Sequence, residues 1–434
     1  MTNLNLKVEN NNYDQDNTKK YRKKVIKGVL EIEENQDLKS IEFLQNFQHM
    51  NKLKIYYCKN IIPKLNSKAI QNLKIVYCNV YNIEQFNLEN LEILNLQDNL
   101  EDKPNAQMQV IKLVQNILKF KNLKELTLYG YQGIEISPLS QMTYLTKLSV
   151  GQCDLLNIDA LIPLVNLIDL NLSGNSGIDI SPLQHLKQLT YLNLQSCCIE
   201  NFNILNFNIL KLLVNLKELS LKMNIYPIDF ALFPHFPQLF ELNLSYCELL
   251  NFSVYKPPVS LKNIVLINIK DIDITPLQHW THLTGLWLSW CNLKNLDAVR
   301  PLVNLEHLYI GQNSIVYLEP LKELKKLSTL YAEHNFIQDI YTLEKHPNFN
   351  KFSFHNQQQP TIQQLKVANT LKDINSPITQ LRQMSQLKIS LKANSINKRQ
   401  IINNNIKQLL VEQDSFVSQV AQLFQKLNCI DGYQ

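Results

Sequence analysis

The sequence of 434 residues contains only nine glycines, which narrows the chemistry it can support. Loops that bind phosphate groups need several glycines, because the backbone must approach the anion closely. None of the motifs GxGxxG, GxxxxGK(S/T), GxSxG, HExxH or CxxC occurs in the sequence. The commonest signatures of nucleotide-binding proteins, hydrolases and metalloenzymes are therefore missing. We predict no catalytic, cofactor-binding or metal-ligating residues.

Long apolar runs and a recognisable leader are missing as well. No run of 18 apolar residues occurs, so we predict no membrane span. The first twenty residues show no basic region followed by an apolar stretch, so we predict no secretory signal. The net charge is +5, and residues 361–434 hold nine basic and four acidic residues. This excess is too small to indicate nucleic acid, which we do not expect as a partner.

What the sequence does contain is a repeat. The segments LTKLSVGQCDLLNI (145–158), LTYLNLQSCCIENF (189–202) and LTGLWLSWCNLKNL (283–296) share the template LxxLxLxx(N/C)xL. We call the second apolar residue of each LxL the anchor, and most anchors are 22 or 23 residues apart. The fifteen anchors are Ile32, Ile55, Ile75, Leu96, Leu128, Val150, Leu172, Leu194, Leu221, Leu244, Leu266, Leu288, Ile310, Ala332 and Phe354.

The alternation in LxL predicts a short strand with one buried face. A single unit of this size cannot bury its own apolar face, whereas stacked units can share a continuous core. The repeat therefore predicts an α/β solenoid in which successive strands form a parallel sheet.

These residues resemble leucine-rich repeat proteins over roughly 29–357. The 22-residue period is closest to the class named after a regulatory subunit of type-1 protein phosphatase, and it is also similar to bacterial internalins. The resemblance implies a right-handed horseshoe with a concave parallel sheet and helical caps. We predict a tail and cap at 1–28, about fifteen repeats at 29–357, and a helical cap with a heptad helix at 358–434. Residues 21–35 are interpreted as a short helix and a first strand.

Most of the eight cysteines occupy one position of the repeat, three residues after the anchor. In a leucine-rich repeat this position turns inward, and a polar group there satisfies buried backbone groups. Six cysteines and six asparagines hold it: Cys58, Cys78, Cys153, Cys197, Cys247 and Cys291, with Asn35, Asn99, Asn175, Asn224, Asn313 and Asn335. A thiol is small and donates weakly, so cysteine is interpreted as a substitute for asparagine. We expect Tyr131, Ile269 and Gln357, which also fall here, to break the pattern.

Strand spacing argues against disulfides and metal sites among these cysteines. Neighbouring strands are about 4.8 Å apart, so cysteines on alternate repeats are separated by roughly 10 Å. A disulfide needs Cα atoms within about 7 Å, and zinc ligands must lie closer still. Cys58 and Cys78 lie on consecutive repeats, but two ligands do not complete a site. Eight free thiols favour a reducing, intracellular compartment.

Two steps between anchors are long. In the first, residues 106–120 have apolar residues at helical spacing and predict an amphipathic helix that packs on its own solenoid, with a membrane or partner helix as the alternative. In the second, NFNIL (201–205) is repeated at once as NFNIL (206–210), which indicates a tandem duplication on the side opposite the sheet.

Both ends of the sequence leave alternatives open. Residues 396–428 carry a heptad seam, predicted either to dock on the preceding cap or to associate with a second copy or a partner. The run KKYRKK (19–24) is interpreted as a solvated helix face, with a nuclear-localisation signal as the alternative.

The residues predicted to face the concave side lie three and one before, and one and two after, each anchor. On most repeats they are small or polar, but from Leu244 onward aromatic and histidine side chains appear. We predict a partner-binding surface of Tyr246, Trp287, Trp290, His307, Tyr309, Tyr331 and His334. Trp287, Tyr309 and Tyr331 hold one position on consecutive strands and should stack about 4.8 Å apart. Glu218 and Glu241 border this surface and could select a basic partner. The alternative is that the stack only stiffens the sheet.

The sequence therefore predicts a non-catalytic, intracellular scaffold for protein–protein interaction, without a cofactor, that binds its partner on the concave face. The resemblance implies an alternative, a regulatory or targeting subunit of a protein phosphatase. An enzyme is the third hypothesis, and the nine scattered histidines give it little support. We expect a cytoplasmic protein, with the nucleus as the second choice.

Overall fold

The computed structural model describes residues 22–26, 28–33, 41, 44, 49–58, 64–78, 80, 83–97, 106–198, 208–254, 256–337, 343, 346, 351–354 and 357. The chain forms two compact units, residues 1–188 and 189–434. The predicted C-terminal cap and heptad helix lie outside the described residues, and the three predicted domain bounds stay predictions.

Unit one is built on a sheet whose strands follow one another along the chain. Its strands are β1 (Arg22–Ile26), β2 (Val29–Glu33), β3 (Lys52–Tyr56), β5 (Asn72–Val76), β7 (Ile93–Gln97), β8 (Glu125–Tyr129), β9 (Lys147–Ser149) and β10 (Asp169–Asn171). From β2 onward neighbouring strands are parallel, and the register pairs equivalent positions, as in Ile32 with Ile55 and Ile55 with Ile75. A separate pair, β4 (Leu65–Asn66) and β6 (Phe86–Asn87), is also parallel.

The amino-terminal helix predicted in residues 21–35 is wrong, because β1 is a strand. It pairs antiparallel with β2, so that Val25 lies opposite Leu30. Gly28 makes the reversal with a φ of +81°, a conformation that glycine adopts without strain. The β-branched residues Val25 and Ile26 suit a strand better than a helix. The basic run at 22–24 therefore lies on an edge strand, where charged residues discourage further pairing.

The helix predicted in the first long step is confirmed as α1 (Ala106–Ile117). Leu113, Val114 and Ile117 are fully buried, so this face packs on the solenoid as expected. Short 3₁₀ helices at Ser137–Gln141, Asp159–Leu161 and Ser181–His185 lead into later repeats. Among the described helices, none is long and apolar enough to cross a membrane.

Unit two repeats the same plan. Its parallel strands are β11 (Tyr191–Asn193), β12 (Glu218–Ser220), β14 (Glu241–Asn243), β16 (Asn263–Val265), β17 (Gly285–Trp287), β18 (His307–Tyr309), β19 (Thr329–Tyr331) and β20 (Lys351–Ser353). A second parallel pair joins β13 (Ile228–Asp229) to β15 (Leu249–Leu250). The intervening 3₁₀ helices are Phe230–His235, Thr275–His279, Asp297–Val299 and Glu319–Leu321. Each predicted anchor lies in one of the parallel strands of the two units or directly after it, and all are buried except the half-buried Phe354.

The inward position after each anchor works as the sequence predicts. The amide nitrogen of Asn313 donates to the carbonyl oxygens of Leu288 and Ile310, at 2.8 and 2.9 Å. Its oxygen accepts from the backbone N–H groups of Cys291 and Leu293, both at 3.0 Å. The Cys291 thiol donates to the carbonyl oxygen of Leu266 at 3.0 Å. Cysteine thus supplies the donor half of the asparagine role.

Three residues were expected to break the asparagine pattern at the inward position, and for Gln357 this prediction is wrong. The Gln357 side chain donates to Ala332 O at 2.8 Å and accepts from Ile337 N at 3.0 Å, which is the asparagine pattern with one more methylene. Tyr131 instead reaches farther back and donates its hydroxyl to Val80 O at 2.9 Å. Ile269 is buried without a polar group, as expected.

The seven cysteines in the described residues carry thiols and form no disulfide, as predicted. The six at the inward position are buried, whereas Cys198 is half-buried. Burial raises the pKa of the Cys153 thiol to about 12, and those of Cys247 and Cys291 to about 11. The eighth cysteine, Cys429, lies outside the described part of the chain. Most of the duplicated segment also lies outside it, although Ile209 and Leu210 of the second copy are buried.

Candidate functional site

The strands of unit two present alternating residues on one surface, which we call the sheet face. In β18 the central Leu308 is fully buried, while His307 and Tyr309 on either side are half-buried. Side chains alternate along a strand, so the first and third residues of each strand lie on the same face. Of the residues predicted to bind a partner, Trp287, His307, Tyr309 and Tyr331 therefore lie on this face of the sheet.

Three aromatic residues on this face form a continuous stack, which we call the aromatic ladder: Trp287, Tyr309 and Tyr331. They are register partners on β17, β18 and β19. The ring centroids of Trp287 and Tyr309 are 5.1 Å apart with planes inclined at 12°, and those of Tyr309 and Tyr331 are 4.9 Å apart at 4°. The predicted stack is confirmed. Burial and the nearby Tyr331 raise the pKa of Tyr309.

The first ring of the ladder fits a gap left by glycine. A Cβ atom built on Gly285 would lie 2.6 Å from the Trp287 ring and 2.5 Å from Asn263 Oδ1. Asn263 is the register partner of Gly285 on β16. The indole and the Asn263 amide therefore both lie against this position. His307 follows in the same row on β18 and is half-buried beside the ladder.

The other three predicted residues, Tyr246, Trp290 and His334, do not join the ladder. They lie two residues after their anchors, on alternate repeats roughly 10 Å apart, which is too far for their rings to stack. Tyr246 and Trp290 are 45% and 53% exposed. The Lys222 Nζ lies 5.7 Å from the Tyr246 ring centroid, in a cation–π arrangement.

The backbone at these three residues has positive φ, between 55° and 65°. This conformation is uncommon for bulky residues. It also occurs at the equivalent residues Tyr57, Gln152 and Gln312 in other repeats. The strained turn is therefore a property of the repeat and does not by itself mark a binding site.

Two shallow depressions lie beside these residues at the carboxyl ends of the strands. One, of about 620 Å³, is lined by Tyr246, Phe252 and Ile269 among others. The second, of about 390 Å³, lies between Trp290 and His334. Asn268, Lys270 and Asp271 line both, so the two depressions adjoin.

Two carboxylates border the ladder on the same face. Glu218 and Glu241 are register partners on β12 and β14. Burial, and then the charge of Glu241, raise the pKa of Glu218. The Asn263 amide donates weakly to Glu241 Oε2 at 3.5 Å, and thereby connects the carboxylates to the position beneath Trp287.

Unit one contains an aromatic pair that the sequence analysis missed. The rings of Tyr57 and Tyr77 stack with centroids 5.0 Å apart and planes at 15°. Lys74 Nζ lies 5.4 Å from the ring centroid of the adjacent Tyr56. The signal was present in the segments IYYC and IVYC, which place Tyr57 and Tyr77 two residues after consecutive anchors.

Within the part of the chain that the structure describes, no group of three or more His, Cys, Asp or Glu side chains is placed to hold a metal ion. The two histidines of the predicted surface differ in position, since His307 lies in β18 and His334 in the turn that follows Ala332.

Comparisons with known proteins support the fold. No model of a protein family matches the chain, and no curated protein matches it. An internalin of Listeria monocytogenes is 22% identical with a TM-score of 0.52, over 69% of this chain and 85% of the internalin. A leucine-rich repeat protein of Leptospira interrogans is 20% identical with a TM-score of 0.53, over 76% of this chain and 86% of that protein. The chain therefore has the fold of a leucine-rich repeat solenoid.

Proposed function

We propose that this chain is a non-catalytic scaffold that binds a protein partner on the sheet face of unit two. The observation that carries the proposal is the aromatic ladder, whose ring centroids are 5.1 and 4.9 Å apart, close to the strand spacing of about 4.8 Å. Tryptophan and tyrosine dominate the binding energy of protein interfaces. No reaction and no cofactor are part of the proposal.

The ladder suits a binding role because its rings are held before a partner arrives. Each ring is fixed by its stacking neighbour, so binding would immobilise few additional side-chain torsions. A protein partner typically covers about 800 Å² on each side, which spans several strands of such a sheet. The alternative, that the stack serves only stability, predicts that its removal weakens folding without affecting a partner.

The test is the double variant Trp287→Ala with Tyr309→Ala, used as bait in extracts that contain the partner. We expect the main captured protein to be lost, while far-ultraviolet circular dichroism and the melting temperature change little. The matched control is Tyr57→Ala with Tyr77→Ala, which removes the stacked pair of unit one. Capture by the first variant at the level of the unmodified protein would contradict the proposal.

The proposal has two finer parts, the targeting of a protein phosphatase and an intracellular location. Targeting of a protein phosphatase is supported only by the class of the repeat, and the same capture tests it by the presence or absence of a phosphatase catalytic subunit. An intracellular, cytoplasmic location is supported by the thiols of the seven described cysteines.

A further inference from the structure

The two units differ in the charges of the residues that begin one pair of neighbouring strands. In unit one, Glu125 on β8 lies opposite Lys147 on β9, and their charged groups are 3.2 Å apart. In unit two, the equivalent residues Glu218 on β12 and Glu241 on β14 lie opposite each other. Like charges that face each other across strands are destabilising. The sheet face of unit two therefore carries a pair of negative charges where unit one carries a neutral pair.

The described residues supply no counter-charge for this pair. Neither Glu218 nor Glu241 forms an ion pair with a basic group of the described chain, whereas Glu31, Glu92 and Glu125 of unit one each do. The strands on either side place Tyr191 and Asn263 opposite the two carboxylates, and both are uncharged. Lys222, two residues beyond β12, has its Nζ over the Tyr246 ring.

The raised pKa of Glu218 agrees with this geometry. Burial is the larger cause and the charge of Glu241 the second, and both act against the ionised carboxylate. A cation placed between the two carboxylates would remove the repulsion and favour ionisation.

The carboxylates and the aromatic ladder form one continuous surface. Strands β12, β14, β16, β17, β18 and β19 are neighbours in that order, and Asn263 on β16 contacts both Glu241 and the position beneath Trp287. Five strand spacings amount to about 24 Å. A segment of about seven or eight extended residues covers this distance, at roughly 3.3 Å per residue.

On the basis of the proposed function, we propose that the partner is a separate protein that presents an extended basic segment. A lysine or arginine of this segment lies between Glu218 and Glu241, and the residues that follow cross the aromatic ladder. Arginine matches the site best, because its planar guanidinium donates to two carboxylates and also stacks on aromatic rings.

The probe is an acetylated nine-residue peptide of alternating glycine and arginine, titrated into the full chain while tryptophan fluorescence is followed. We expect saturable binding that weakens steeply with salt, and about tenfold or greater loss in Glu218→Gln with Glu241→Gln. Glu125→Gln, at the equivalent position of unit one, is the matched control and should bind the peptide unchanged. The same peptide with citrulline in place of arginine should not bind.

Equal affinity of the double glutamine variant and the unmodified chain would overturn the inference. If the variant Trp287→Ala with Tyr309→Ala still lost capture of the main partner, that result would support the proposed function and contradict only the basic character of the partner. The inference is also overturned if zero-length carbodiimide cross-linking of the dilute chain joins Glu218 or Glu241 to a lysine of residues 361–434. That result would assign the surface to the chain's own basic segment.

Discussion

The indole of Trp287 lies over Gly285, two residues earlier on the same strand, and leaves no space there for a side chain. A Cβ atom at Gly285 would come within 2.7 Å of two ring carbons of Trp287. Real Cβ atoms do not approach that closely, so the glycine is a condition for the first step of the aromatic ladder.

Gly285→Ala should therefore displace the indole and disorder the ladder. We expect a loss of near-ultraviolet circular dichroism and a destabilisation of about 1–3 kcal/mol, as for other overpacked sites. Gly311→Ala, two residues after the end of β18, is the control, since its Cβ would meet the Glu333 side chain, whose nearest atoms lie at 3.0 Å. Equal effects of the two substitutions in urea unfolding would contradict this reading of the contact.

Asn313→Ala should destabilise unit two strongly. The substitution leaves the buried carbonyl of Leu288 and the buried N–H groups of Cys291 and Leu293 without the Asn313 side chain, at a cost of roughly 2–4 kcal/mol, whereas the carbonyl of Ile310 still accepts from Asn335. Asn313→Cys should lose less, because a thiol at this position donates to the preceding repeat, as it does in Cys291. The comparison is made by chemical denaturation, and a cysteine variant no more stable than the alanine variant would refute the substitution rule.

The thiols should differ in reactivity according to burial. Buried thiols with a raised pKa hold little thiolate at neutral pH, and thiolate is the reactive form. In pulsed alkylation of the folded protein, followed by peptide mass spectrometry, Cys198 should be labelled well before Cys153 and Cys291. After unfolding without reductant all eight cysteines should be labelled. Labelling of Cys153 as fast as Cys198 in the folded state would show that the repeat opens locally.

Glu218→Gln should stabilise the protein slightly at neutral pH. The pKa of Glu218 is higher in the folded than in the unfolded chain, so the folded state binds more protons between the ordinary glutamate pKa and the raised one. Stability of the unmodified protein therefore falls as the pH rises through this window. The gain in melting temperature should disappear below the ordinary glutamate pKa, where both forms are neutral. Glu125→Gln, which breaks the pair with Lys147, should not stabilise the protein at neutral pH.

Much of the fold could be predicted because the repeat is in register. Once Leu288 and Ile310 are recognised as equivalent, parallel pairing brings Trp287 and Tyr309 together without further information. The same reasoning fails where the chain leaves the repeat. Nothing in the spacing shows that residues 22–26 pair as a strand, because that depends on the edge left open by β2 and on the turn at Gly28.

Two features that the sequence did not predict depend on side-chain geometry. Gln357 performs the asparagine role because its extra methylene can be accommodated, which a residue-type rule does not anticipate. The position of the Trp287 ring over Gly285 depends on a torsion angle and not on spacing. The stack of Tyr57 on Tyr77 is different, because the two residues follow consecutive anchors and spacing alone places them side by side.

The inward asparagines and cysteines give each unit a direction. Asn313 satisfies backbone groups of the repeat before it, just as Asn335 serves the repeat of Asn313. Each repeat thus relies on its successor for these hydrogen bonds, so removal of a repeat from the carboxyl end leaves buried backbone groups of the repeat before it without their side-chain partner. A repeat copied within the array has a neighbour on each side, so its inward side chain finds the backbone groups of the repeat before it and its own backbone groups find the side chain of the repeat after it. Internal copying of segments can therefore lengthen such a chain.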